Sequence, residues 1–81
     1  MNVFITGASS GLGAALAAHY AGRGARLGLV ARRETELAEV ARGLSGEPAT
    51  YLADVADARA MHDAAHDFMQ RFGVPDIVIA N

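Results

Sequence analysis

The 81-residue sequence contains no cysteine. Disulfide staples and thiolate metal sites, the usual supports of a very short chain, are therefore excluded. A domain of this size buries only about 60% of the surface its unfolded chain exposes, so little stability is in reserve. The absence is compatible with a reducing compartment. Lysine is missing too: all seven basic residues are arginine, at positions 23, 26, 32, 33, 42, 59 and 71. Positive charge is not in surplus either. The formal net charge is −2, which argues against a general binder of nucleic acid or membrane surfaces. No apolar run approaches the roughly 20 residues needed to span a bilayer. Met1-Asn2-Val3 lacks the basic start and long apolar stretch of a signal peptide. The expectation is a cytoplasmic protein with no membrane and no nucleic-acid partner.

What the chain does have is a 52% apolar composition, that of a globular protein. Short apolar runs alternate with longer amphipathic ones. Asn2–Thr6 reads as a strand and Gly11–Arg23 as a helix. Arg26–Ala31 (RLGLVA) is a second strand and Glu34–Leu44 a second helix, in which Leu37, Val40, Ala41 and Leu44 share one face at i, i+3, i+4, i+7. Ala49–Ala53 is a third strand, entered through Pro48 after the breaker Ser45-Gly46. Asp57–Phe72 is a third helix, with Asp57 as N-cap and Gly73 as its stop. Asp76–Ala80 is a fourth strand. Strands and helices in strict alternation predict an α/β fold with a parallel sheet covered by helices. The strands are almost wholly apolar, as strands buried on both faces are. Right-handed crossovers predict the strand order 3-2-1-4, with a switch point between strands 1 and 4.

At that switch point the chain reads TGASSGLG, residues 6–13, directly after Val3-Phe4-Ile5. Ligands of open parallel sheets bind beyond the carboxyl ends of the strands at such a place. Gly7 permits a sharp turn out of the strand, Gly11 lets a pyrophosphate approach the backbone, and Gly13 lets the helix pack closely on the sheet. The free N–H groups of the helix start, Leu12 among its first residues, favour phosphate, and Ser9 and Ser10 add hydroxyl donors. A loop made of glycine and serine needs no ligand by itself. A preceding strand, a following helix and the surrounding βαβ pattern are what mark it as a nucleotide-binding turn.

The spacing T-G-x-x-x-G-x-G resembles that of the short-chain dehydrogenase/reductase family. Three further stretches agree in order: Ala31-Arg32-Arg33 at the end of strand 2, Asp54-Val55 after strand 3, and Ile79-Ala80-Asn81, which resembles the start of an N-A-G motif on strand 4. The resemblance implies a partial Rossmann-type sheet. It implies an oxidoreductase that moves a hydride between a nicotinamide cofactor and a carbonyl or alcohol substrate. It covers only the first part of such an enzyme, and the chain stops inside the last motif. Residues 1–81 are therefore expected to be the N-terminal cofactor-binding part of a longer single domain. A non-catalytic nucleotide-binding or redox-sensing module of the same fold is the alternative, and a half-domain completed by dimerisation is a third. Members of the family commonly form tetramers through later helices, so a homo-oligomer is among the expected partners.

In dinucleotide folds an acidic residue about 20 positions after the loop binds the ribose hydroxyls and selects NAD. At the end of strand 2 stands Ala31, followed by Arg32 and Arg33. Guanidinium groups pair well with a phosphate, so NADP(H) is expected over NAD(H). The resemblance places Asp54 at the adenine amino group with the Val55 backbone beside it, and Asn81 near the adenosine ribose, where it also ties the central strands together.

Other chemistry-bearing residues read as structure. His62 and His66 stand at i, i+4 on helix 3, but on its polar flank beside a core stripe of Met61, Ala65, Phe68 and Phe72, so no metal site is expected. Met69 reads as core packing as well. The family's general acid/base is a tyrosine in Tyr-x-x-x-Lys, whose lysine lowers a pKa that is otherwise near 10. The lysine position is Gly24 for Tyr20 and Val55 for Tyr51, so no catalytic residue is assigned.

Overall fold

Parallel strands need a crossover of a dozen residues or so between them, and each apolar run here is followed by a helix that supplies one. The computed structural model describes all 81 residues, Met1–Asn81. Its elements are β1 (Asn2–Thr6), α1 (Gly11–Gly22), β2 (Arg26–Ala31), α2 (Glu34–Arg42), β3 (Ala49–Leu52), α3 (Ala58–Phe72) and β4 (Ile77–Ile79). The strands form one parallel sheet in the order β3-β2-β1-β4. Ile5 lies opposite Leu29 on one side and Ile79 on the other.

Alternation of side chains along each strand sorts the core into two faces. On one face Val3, Ile5, Leu27, Leu29 and Ala31 pack against Ala17 and Ala21 of α1 and Leu37 of α2. On the other, Phe4 and Val30 meet Ala64 and Phe68 of α3. The buried side of α1 is Gly13, Ala17 and Ala21, small residues at i, i+4, i+8 that let the helix lie close to the strands. Across the sheet, Phe68 stands edge-on to Phe4 with ring centroids 5.3 Å apart. This aromatic pair occupies the space above Gly28, where a Cβ would come within 2.5 Å of Phe68 and 2.8 Å of Phe4. Gly28 is a packing requirement in the middle of β2.

The expected helix cap on α3 forms: Asp57 Oδ1 accepts the Ala60 N–H at 3.1 Å. The helix stops at Gly73, which takes φ 95°. Several bounds differ from expectation. Helix α1 ends at Gly22, not Arg23, which becomes its cap. Helix α2 ends at Arg42 rather than Leu44, because Gly43 takes the cap position and donates back to Glu39 and Val40 carbonyls at 3.3 and 3.2 Å. Ala53 falls outside β3, although its N–H still reaches the Ala31 carbonyl at 3.0 Å. Asp76 and Ala80 fall outside β4. Asp76 instead clamps the start of β1, its Oδ2 accepting the Asn2 N–H at 2.7 Å. Met69, expected in the core, is exposed, and Ala64 is buried. Phe68 fixes the inward side of α3 by meeting Phe4, and Met69 stands about 100° around the helix from it.

Gly28→Ala is expected to destabilise the fold by about 1–3 kcal/mol, the range for overpacking a filled core. Gly22→Ala, where a Cβ meets no atom within 4 Å, should leave the melting temperature unchanged or raise it. Thermal unfolding followed by circular dichroism separates the two.

Candidate functional site

All four strands end at the same edge of the sheet, and the segments leaving them enclose a cleft of about 440 Å³. Gly7, Ser9 and Ser10 line it after β1, Val30 and Ala31 at the end of β2 with Arg32 and Arg33 just beyond, Ala53, Asp54 and Val55 after β3, and Asn81 after β4. Glu36 reaches it from α2. Gly11, Leu12 and Gly13 lie just outside this lining, at the start of α1.

The three loop glycines differ in what they do. Gly7 has φ 63°, the left-handed region that side chains disfavour, and a Cβ there would approach the Asn81 carbonyl oxygen to 2.6 Å. Gly13 is pressed against the turn: a Cβ would overlap the Gly7 carbonyl oxygen. Gly11 has no protein atom within 4 Å of where its Cβ would stand. The fold requires glycine at 7 and 13 and leaves open space over 11.

Ser10 occupies the N-cap position of α1, yet its side chain makes no cap bond. Its Oγ donates instead to the Gly7 carbonyl at 2.8 Å and accepts from Asn81 Nδ2 at 2.7 Å. The backbone N–H groups of Gly11, Leu12 and Gly13 find no acceptor within the chain, the first intrahelical bond running from Ala14 to the Ser10 carbonyl. No acidic residue stands in the first turn of α1, whereas α2 has Glu34 and Glu36 in its own. Free donors, an uncompensated helix dipole and open space over Gly11 fit a diphosphate.

Asn81 closes the site from β4. Its N–H donates to Thr6 Oγ1 at 3.3 Å and its Nδ2 to the Gly7 carbonyl at 3.1 Å, while Thr6 Oγ1 donates to the Ile79 carbonyl at 3.4 Å. Thr6, which the sequence pattern marks only as the end of a strand, thus links the ends of β1 and β4. Asp54 makes a turn, Oδ1 accepting the Ala56 N–H at 2.9 Å, and its other oxygen has no partner. Arg32 has no carboxylate within ion-pair distance, while Arg33 Nη1 lies 3.4 Å from Glu36 Oε2. Glu36 is a site residue that sequence reasoning missed. Its position three residues after the N-cap, where a helix places a Glu to face back across the first turn, is the available signal.

A sequence model of the short chain dehydrogenase family matches residues 1–81. The chain belongs to that family. It is 46% identical over 83 residues to 11-beta-hydroxysteroid dehydrogenase A of Sesamum indicum, covering 98% of this chain and 24% of that one. A 3-ketoacyl-ACP reductase from Sinorhizobium meliloti 1021 superposes with a TM-score of 0.86 at 40% identity, over 96% of this chain and 32% of the other. A metagenomic short-chain oxidoreductase solved in complex with NADP gives a TM-score of 0.88 at 31% identity, over 96% and 37%. The chain thus spans about a quarter of the length of the curated relatives it matches and a third of the solved ones. Within the family, the parallel 3-2-1-4 sheet is the Rossmann-type arrangement that binds a nicotinamide dinucleotide.

The remaining candidates lie elsewhere. The His62 and His66 rings are stacked 6.2 Å apart on the exposed flank of α3. His19 stands edge-on to Tyr20 at 5.0 Å. Tyr51, on β3, donates its hydroxyl to Asp67 Oδ2 at 2.6 Å. Burial first, then the hydrogen bond and charge of Asp67, push the Tyr51 phenol from 10.0 up to about 12, against a smaller opposing effect of Arg71. A tyrosine that serves as acid and base in this family needs the opposite shift. No helix of the chain is long and apolar enough to cross a membrane.

Because the folded value lies above the unfolded one, the contribution of Tyr51 to stability is complete below pH 10 and is lost as pH rises toward 12. In a Tyr20→Phe background, absorbance at 295 nm should report a single tyrosinate transition near 12, and Asp67→Asn should move it down only part of the way, because burial, the larger cause, remains.

Proposed function

We propose that residues 1–81 are the N-terminal, NADP(H)-binding part of a single longer domain. The whole would be an oxidoreductase that moves a hydride between NADP(H) and a carbonyl or alcohol carbon. One observation carries this reading: the free N–H groups of Gly11, Leu12 and Gly13 directly follow Ser9 and Ser10, which line a cleft together with Arg32 and Arg33, with Ala31 in place of an acid. The α1 start, with the Ser9 hydroxyl, would hold the pyrophosphate while the Gly7 turn keeps the backbone out of its way. Ser10, expected as a second donor, already gives its one hydroxyl proton to the Gly7 carbonyl and would shape the turn instead. Arg32 and Arg33 would pair with a 2′-phosphate. The free oxygen of Asp54 would accept from the adenine amino group beside the Val55 backbone, and Asn81 would border the adenosine ribose.

The bound cofactor supplies the hydride chemistry, and these residues bind and orient it. No tyrosine–lysine pair is available among the 81 residues, since the chain has no lysine. The acid/base groups of the reaction are therefore assigned to other parts of the polypeptide. A cytoplasmic location and the lack of a nucleic-acid partner belong to the same proposal, the second supported by the net charge of −2. The NADP complex of the metagenomic oxidoreductase supports the cofactor choice by similarity.

Calorimetric titration of the full polypeptide with NADPH and NADH tests the reading. NADPH should bind more tightly. Arg32→Gln with Arg33→Gln should weaken NADPH about 10- to 100-fold, the worth of one or two charge-assisted hydrogen bonds, and change NADH less than about twofold. Gly11→Ala should weaken both cofactors and leave the melting temperature unchanged. Equal affinities untouched by the arginine changes would defeat the NADP(H) assignment, and binding of neither nucleotide would defeat the site.

A further inference from the structure

The two arginines of the cleft are not equivalent. Arg33 is the N-cap residue of α2, a position that favours Ser, Thr, Asp or Asn, and it makes no side-chain cap bond. Glu36 is the third residue of the same helix. A glutamate there ordinarily reaches back to the N-cap backbone N–H. Here its Oε2 instead faces the Arg33 guanidinium, at 3.4 Å from Nη1, and both side chains line the cleft. Arg32, one residue earlier, lines the same cleft with no acidic partner.

We infer that Glu36 is a specificity-determining residue that holds Arg33 away from full engagement with a 2′-phosphate and so narrows the preference for NADP(H) over NAD(H). The inference rests on the cofactor reading above. A 2′-phosphate that approaches the cleft meets one free guanidinium and one already paired, and it must displace the Glu36 carboxylate to gain the second. It also meets the repulsion of that carboxylate, since like charges close together in a partly exposed site disfavour one another. A ribose that carries a free 2′-hydroxyl meets neither obstacle and finds in Glu36 an acceptor. The acid that is absent at Ala31 is in this way partly replaced from α2. The pair is exposed, 73% for Arg33 and 44% for Glu36, so its effect is a moderate one and not an exclusion of either cofactor.

Adenosine 2′,5′-bisphosphate and 5′-AMP isolate this end of the cofactor and need no turnover. Calorimetric affinities for both are to be measured at one fixed ionic strength on the full polypeptide. In Glu36→Gln the bisphosphate should bind about three- to fivefold more tightly, in keeping with the strength of an exposed ion pair, while 5′-AMP stays level or weakens. In an Arg33→Gln background the same change should gain less than about twofold. Glu36→Gln keeps the size of the side chain, and an unchanged melting temperature shows that α2 is intact. An equal change for both probes, no change for either, or a full gain in the absence of Arg33 would overturn the inference while leaving the site standing. Failure of the unaltered protein to bind either probe would overturn the cofactor reading itself.

Discussion

The arrangement of the site depends on one tight backbone crossing. Gly7 turns the chain out of β1 in a left-handed conformation, with the Asn81 carbonyl close on one side and the start of α1 pressed against its own carbonyl at Gly13. No side chain fits at either glycine. The Gly7 carbonyl then accepts from both Ser10 Oγ and Asn81 Nδ2. One oxygen atom thus joins the turn, the helix start and the end of β4. Because Ser10 is committed to that junction and not to capping α1, the first N–H groups of the helix remain free. The constraint that holds the strands together also leaves the donors available to a ligand.

The core follows the same pattern. Two faces of one sheet are covered by three helices, and each face is set by a close approach that small residues allow. On one, Gly13, Ala17 and Ala21 bring α1 down to the strands. On the other, Gly28 leaves room for the Phe4–Phe68 pair under α3. These contacts seat α1 on one face of the sheet and α3 on the other.

The order of elements and the 3-2-1-4 sheet were legible in the sequence because strand and helix periodicities alternate without interruption and crossovers have one hand. The Gly7 turn and the Asp57 cap were legible from local sequence, and the tie made by Asn81 only through the family resemblance. Less local features were not. Gly28 reads as an ordinary strand glycine until Phe4 and Phe68, far apart in sequence, are seen to meet over it. Met69 looks as apolar as its neighbours, and only the direction of Phe68 shows that it faces outward. Helix α2 stops early because Gly43 outweighs the continuing apolar pattern at Leu44, which still packs on the core beyond the helix end. Glu36 has no distinguishing neighbour in sequence, since Glu34 stands in the same first turn, and only the third position of the helix reaches across to the Arg33 side chain.

The most direct test of the central claim, that the uncapped start of α1 and the arginine pair after β2 are two ends of one dinucleotide site, is a backbone amide NMR titration. Added NADPH should shift the amides of Gly11, Leu12 and Gly13 together with those of Arg32 and Arg33, at a common saturation point. NADH should shift the first group and move the second less. Shifts confined to α3 and β3, or the two groups saturating at different concentrations, would contradict a single dinucleotide site.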